Sequence, residues 1–169
     1  MTRLRNWLRK PKRRPKPKAR MQEADHILIP LLDGRHGVAQ VVRLQDDRVF
    51  LYLSNRRHHQ NDKVVAFADN DVNAFMFVDI ADLPDNHWPV IGYDAIPNLR
   101  RAPEHLSWDL LGEKDPIHDP SIIEAFANAV HGLYPWDGFP DPEFFTNMLS
   151  DPNTLPPFAR MTSDFPSPE

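Results

Sequence analysis

Histidine and the carboxylates are the side chains of this sequence with the widest chemical reach, and their spacing limits what they can do. There are eight histidines and no cysteine. A zinc site needs ligands converging on one point, and neither a His-x-x-x-His nor a His-x-His pair occurs. His58 and His59 are adjacent, which on a strand sends them to opposite faces, and beside Arg56 and Arg57 they read as a solvated loop pair. The absence of thiols removes disulfide frameworks, zinc ribbons, iron–sulfur clusters and thiol catalysis, and fits a reducing cytoplasm.

The acid pairs Asp46 with Asp47 and Asp69 with Asp71 have the residue types for acid–base work. Each lies among turn-forming residues, where an aspartate bonds the nearby backbone, and the turn reading is the stronger. Nucleophile-elbow and glycine-rich phosphate-loop motifs are absent, and six glycines leave little room for them. No serine stands where a histidine would activate it. The sequence predicts no catalytic residue, no cofactor and no metal, hence a protein that is not an enzyme.

Aromatic residues are the other chemistry at hand. Trp88, Trp108, Trp136, Tyr93, Tyr134 and Phe139 lie in proline-rich connecting segments, among them Pro135-Trp136-Asp137-Gly138-Phe139-Pro140. Such rings serve either as binding anchors, as Trp and Tyr do at interface hot spots, or as the packing of their own loops.

The elements that must carry these residues follow from periodicity. Ile27 to Leu32 is apolar on both faces, Asp33-Gly34 supplies a tight hairpin, and Val38 to Leu44 and Val49 to Leu53 continue a meander around Gln45-Asp46-Asp47. Pro30 cannot donate to a ladder, which places the first strand at an edge or bulge. Ser54 to Asp62 reads as an exposed loop, Val64 to Ala68 as a helical turn or a strand, Ala74 to Ile80 as a fourth strand and Trp88 to Tyr93 as a fifth, broken by Pro89. Helix signals come next: Ser121 and Glu124 form a capping-box pattern ahead of Ile123, Phe126 and Val130, with a stop at Gly132. Asp141-Pro142-Glu143 opens a second helix carrying Phe144, Phe145, Met148 and Leu149. The expected fold is α+β: a strongly bent antiparallel, partly barrel-like sheet of about five strands with two C-terminal helices packed on it. It occupies residues 23–150, between a disordered basic tail at 1–22 and an irregular tail at 151–169.

Charge is divided along the chain. Residues 1–20 hold ten of the 20 Lys and Arg and no acid; the other 149 residues hold ten basic and 24 acidic side chains, a charge of −14 behind a net −4. In the arm, Arg9, Lys10, Lys12, Arg13, Arg14, Lys16 and Lys18 alternate with Pro11, Pro15 and Pro17, a pattern that forbids helix and suits either an arm for nucleic acid or anionic membrane, or a solvated tail. The longest apolar run, Ile27 to Leu32, is far short of the roughly 20 residues that cross a bilayer, so a cytoplasmic protein without a transmembrane segment is expected. Proline, at 18 residues, is close to twice its usual share and marks these boundaries.

Three segments in order, Ile29-Pro30-Leu31-Leu32-Asp33-Gly34-Arg35 running into Gly37-Val38-Ala39-Gln40-Val41, then Trp88-Pro89-Val90-Ile91-Gly92, then Gly132-Leu133-Tyr134-Pro135-Trp136-Asp137, resemble the immunity protein 26 family of bacterial polymorphic toxin systems. The resemblance spans roughly residues 23 to 150 and omits the basic arm and the Arg56 to His59 stretch. It implies a cytoplasmic, non-enzymatic protein that binds and neutralises a cognate toxin encoded by an adjacent gene. No binding residue carries over with it. The acidic body suits a basic partner such as a nuclease, and the expected contact residues are Asp69, Asp71, Asp79, Asp82 and Asp85 around the fourth strand, with Trp136, Asp137 and Asp141 in and beside the aromatic loop. The alternative is an adaptor that binds nucleic acid or anionic membrane through the arm.

Overall fold

The computed structural model describes residues 21–100 and 115–168. The basic arm and Trp108 lie outside them. Strands β1 (Asp25–Pro30), β2 (His36–Gln45), β3 (Arg48–His58), β4 (Val72–Asp79), β5 (Val90–Tyr93) and β6 (Ile117–His118) form one sheet in the order β5-β1-β2-β3-β4-β6. The fold is α+β as expected, with three corrections. Among the described residues the sheet ends at β5 and β6, so it is open and not barrel-like; it has six strands rather than about five; and β6 runs parallel to β4, so the sheet is mixed.

Alternation on the central strands creates two cores. Val49, Leu51 and Leu53 of β3 share one face with Ile27, Ile29, Ala39, Val41, Ala74, Met76 and Val78; Phe50 and Tyr52 share the other with Leu28, Val38, Val42, Val72 and Phe77. The first face is covered by helix α1 (Pro120–Val130), through Ile123, Phe126, Ala129 and Val130, and by Trp88, Trp136, Phe145 and Leu149. Phe67 and Leu99 cover the second.

Pro30 fits without an edge position. Leu28 N donates toward β5, to Pro89 O at 3.0 Å, and the two-residue period aims the Pro30 nitrogen to the same side, beyond the last residue that β5 pairs. The turn after it is wider than the expected hairpin: residues 31–35 close it through Leu31 N to Arg35 O at 2.9 Å, and Gly34 alone takes positive φ, at +79°.

Two further expectations are corrected. The stretch from Ser54 is no exposed loop up to residue 58: β3 continues to His58, pairing Gly37 with Arg57 and His36 with His58. Arg56 and Arg57 can lie half-buried in a strand because each finds a carboxylate and backbone carbonyls. The helix expected from Asp141 is not formed. Residues 141–149 make turns and the 3-10 segment Thr146–Met148, because Ser150 N bonds Asn73 O at 2.8 Å and Leu149 is already extended, which stops the coil after about one turn.

α1 is the one α-helix among the described residues, and its ends differ from the expected capping box. Asp119 is the N-cap, accepting from Ser121 N at 2.9 Å, with Pro120 in the first turn. At the other end Gly132 (φ +73°) completes a Schellman motif, with Leu133 N on Asn128 O and Gly132 N on Ala129 O. A Cβ at Gly132 would lie 2.5 Å from Phe158 O, so closure of the C-terminal segment over this turn depends on glycine. Packing extends past residue 150: Trp136 N donates to Arg160 O at 2.7 Å, and Ala159 and Met161 contact the first core.

Trp136 anchors this layer. Its indole is buried against Phe126 and Phe145 and its Nε1 donates to Thr146 Oγ1 at 3.0 Å. Trp136→Ala is expected to lower unfolding stability by about 3–5 kcal/mol, measured as a fall in the urea midpoint.

Candidate functional site

The expected contact residues separate into three places. β4 holds eight residues, a span of roughly 23 Å at 3.3 Å per step. Asp69 and Asp71 lie before its first residue, and Asp79, Asp82 and Asp85 at or after its last. The structure therefore does not bring these five acids together.

Of the first pair, Asp71 serves the fold. It takes Arg56 Nη2 at 2.5 Å and Ala68 N at 2.7 Å, closing a strap over residues 62–71 whose carbonyls at Val65 and Ala66 also accept from Arg56. The Arg56 guanidinium sits 5.1 Å from the centre of the Phe67 ring, which covers the buried ring of His26. Asp69 is exposed and takes Arg100 N at 2.8 Å; the side chains of the two pair loosely, at 3.5 Å.

Asp69 forms part of the rim of a cleft of about 370 Å³ between the start of β4 and the 149–154 loop. Val72, Phe75, Leu99 and Leu149 give it an apolar part of its lining. Asn73, Arg100, Ser150, Asp151 and Thr154 provide the polar wall.

At the far end of β4 the sheet register gathers acids that sequence spacing separates. Arg48 pairs with Asp79, so the β2–β3 turn bearing Asp46 and Asp47 lies beside the end of β4, and Ile80 N donates to Asp47 O at 2.8 Å. Asp46, Asp47, Arg48 and Asp79 line one hollow of about 400 Å³, with Asp82 just beyond. Sequence reasoning assigned Asp46 and Asp47 to a turn, as they are, and missed their place beside Asp79; antiparallel pairing of the third and fourth strands was the signal. Among the described residues, no group of His, Asp or Glu side chains is arranged to hold a metal ion.

The aromatic-loop candidates serve packing and turns. Trp136 is 2% exposed, which removes its ring from contact with a partner, whereas Tyr93 at 78% is open to one. Asp137 accepts from Thr162 Oγ1 at 2.7 Å and from its amide at 2.6 Å; these bonds hold its carboxyl below the usual aspartate range and fasten the C-terminal segment. Asp141 is exposed and takes Glu143 N.

Around the C-terminal end of α1 a second polar cluster joins the sheet to the helix. Arg57 Nη1 pairs with Asp33 at 2.7 Å and its Nη2 donates to His131 O at 3.2 Å; Arg160 reaches Gly132 O. Positive charge thus meets the negative end of a helix that has no basic residue in its own last turn. The His131 ring is buried against Gly37, and burial, with Arg57 nearby, pushes it down to about 4.

No protein-family model, curated protein or solved structure matches this chain. No described helix is long and apolar enough to cross a membrane.

His131 makes stability depend on pH. The unfolded chain takes up a proton near pH 6.5 and the folded chain only near 4, so between these values the unfolded state binds more protons and stability falls as pH falls. The loss should approach about 3 kcal/mol by pH 4. Urea midpoints should drop across this window in the native chain, and the drop should be shallower in His131→Gln.

Proposed function

We propose that the protein is an immunity protein, which binds a basic toxin domain in the cytoplasm of the producing cell and holds it inactive without catalysis. The observation that carries this reading is the distribution of charge. Arg56, Arg57, Arg100 and Arg160 are engaged with carboxylates or backbone carbonyls of the fold, so much of the body's small stock of cations is already used. Asp46, Asp47, Asp79 and Asp82 are exposed around the end of β4, where Arg48 is the one cation lining the hollow. An acidic surface of this kind attracts a basic cleft and raises the association rate before contact. The three segments that resemble the immunity protein 26 family support the same reading.

Co-expression with the toxin domain of the adjacent gene should rescue growth, and the purified pair should form a one-to-one complex. In Asp47→Lys/Asp82→Lys the association rate should fall about ten-fold or more at low salt, with the thermal midpoint little changed. Failure of the native chain to neutralise the toxin would overturn the reading.

The ten cations of residues 1–20 support a second role, binding to nucleic acid or anionic membrane through the arm. Affinity for DNA and for phosphatidylserine vesicles should then fall steeply with salt and vanish when residues 1–20 are deleted. Identical binding by the full and shortened chains would exclude an arm of this kind.

A further inference from the structure

We propose that the middle of the 62–71 strap, residues 63–67, is an acid-released cover: it lies closed over His26 while that ring is neutral, and lifts to admit water to the second face of the sheet when the ring takes up a proton. The inference goes beyond the toxin-binding reading and does not depend on it.

The cover is lightly fastened. No backbone amide or carbonyl of residues 63–67 bonds another backbone group among the described residues. Arg56 takes their place, donating to Val65 O at 2.9 Å and to Ala66 O at 3.2 Å. Of these five residues only Phe67 is buried, at 3% exposure, while Val64 rests against Gly92 of β5. The far end is tied more firmly to β3, by Asn55 N on Asp71 O at 2.9 Å, and serves as the hinge. A segment held by one buried ring and one arginine belongs to the parts of a protein that open without global unfolding.

Beneath Phe67 a row of polar side chains crosses an otherwise apolar face. Register sets His26 beside Gln40 and Gln40 beside Tyr52, and all three are buried. Gln40 Nε2 is committed to Asp94 O at 2.9 Å and Ala24 O at 3.3 Å. His26 Nε2 and Gln40 Oε1 are buried without a partner. The Phe67 ring meets the His26 ring at 4.8 Å between centres and also carries the Arg56 guanidinium, at 5.1 Å.

This site suits a neutral ring. Its Nε2 can be the nitrogen without a proton, a lone pair left unpaired at modest cost; protonation makes it a charged donor with no acceptor, closed off from water. The charged groups around it are Asp25 on its own strand, Asp94 after β5, and Arg56 of β3 with its partner Asp71; β2 presents the uncharged Gln40, and burial keeps the Tyr52 phenol from ionising. Burial holds His26 below the ordinary histidine value of 6.5, with Asp94 opposing, Arg56 adding to the fall and Asp25 opposing. The closed form therefore binds fewer protons than the open one. Below pH 6.5 the opening constant should rise, by up to about ten-fold per pH unit, until the closed form titrates as well.

The test uses the full chain with labelled histidine and phenylalanine rings, followed by NMR from about pH 7.5 to about pH 4.5. The Phe67 ring signals are expected to move to solvent-like positions with the same midpoint as the His26 ring. Those of Phe126 and Phe145, in the first core, should keep their place, which separates lifting of the cover from the general loss of stability that His131 brings. In His26→Gln the Phe67 signals should stay at their closed positions throughout. Phe67→Ala takes the cover away and should bring the His26 midpoint up to the ordinary value near 6.5.

Phe67 signals that stay in place while His26 becomes charged, as they would if the charged ring reached Gln40 Oε1, would overturn the proposal. So would a His26 ring still neutral at the acid end of the range, an equal movement of Phe67 in His26→Gln, movement of the Phe126 and Phe145 rings together with Phe67, or a His26 midpoint unchanged in Phe67→Ala. None of these readouts involves a toxin, so a failure here is distinguishable from a failure of neutralisation.

Discussion

Strand β3 is apolar on both faces, and the rest of the structure follows from the need to cover both. Val49, Leu51 and Leu53 look one way, Phe50 and Tyr52 the other, and a sheet with such a centre is stable only as the middle layer of three. One described α-helix cannot cover six strands, so aromatic side chains from irregular chain supply the remainder. Trp136, Phe139, Phe144 and Phe145 form a mutually packed group beside α1, with Phe139 and Phe144 stacked at 4.6 Å. The opposite face is closed by the strap that Arg56 holds down through Phe67. The proline richness has its physical place here: rigid connections can serve as covering layers because ordering them costs less conformational entropy.

The same arrangement shapes the electrostatics. Irregular covering layers leave backbone carbonyls that no ladder satisfies, and arginine, with five donors in a planar fork, is the side chain that can satisfy several at once. Arg56 bonds two carbonyls and a carboxylate, Arg57 one of each, and Arg160 two carbonyls. Arg56 and Arg57 are drawn inward by the fold and Arg160 is tied down at its surface, while aspartates at strand ends and turns stay on the outside, where they cap backbone amides. An acidic exterior thus arises from structural roles on both sides of the ledger. Its density where the β2–β3 turn meets the end of β4 is what turns a general charge into a local one.

Five of the six described strands, and the helix before Gly132, are legible in the sequence because alternation and helical spacing are local properties; the two-residue β6 is not. What escaped is non-local. β3 continues through Arg56 and Arg57 because Asp71 and Asp33 come to meet them, and no window around residue 56 contains that information. Ser121 with Glu124 looks like a capping box, yet Glu124 turns to Trp88 Nε1 at 2.9 Å and His87 Nε2 at 2.6 Å, so Asp119 caps instead. Asp141-Pro142-Glu143 does begin a turn, and how far it continues was settled by Asn73 on a distant strand. Among the candidate contacts, Asp79 and Asp82 were legible as exposed acids. Their grouping with Asp46 and Asp47 was not, because register rather than spacing creates it.

The three segments that resemble an immunity family converge on α1. The first reaches it through Leu32 N, which donates to Asn128 Oδ1 at 2.8 Å; the second through Trp88 on Glu124; the third continues directly from its Schellman turn. Glu124 and Asn128 are one helical turn apart, and Asn128 Nδ2 bonds Glu124 O, so a single pair of residues fastens the β1–β2 loop and the entry to β5 to the helix. Residues with this task are constrained by the scaffold whatever it binds. Asp46, Asp47, Asp79 and Asp82, by contrast, lie exposed in the turns around the end of β4. Under the proposed toxin-binding reading, a change of partner would act on the exposed ends of β4, while the segments around α1 stay fixed by the scaffold.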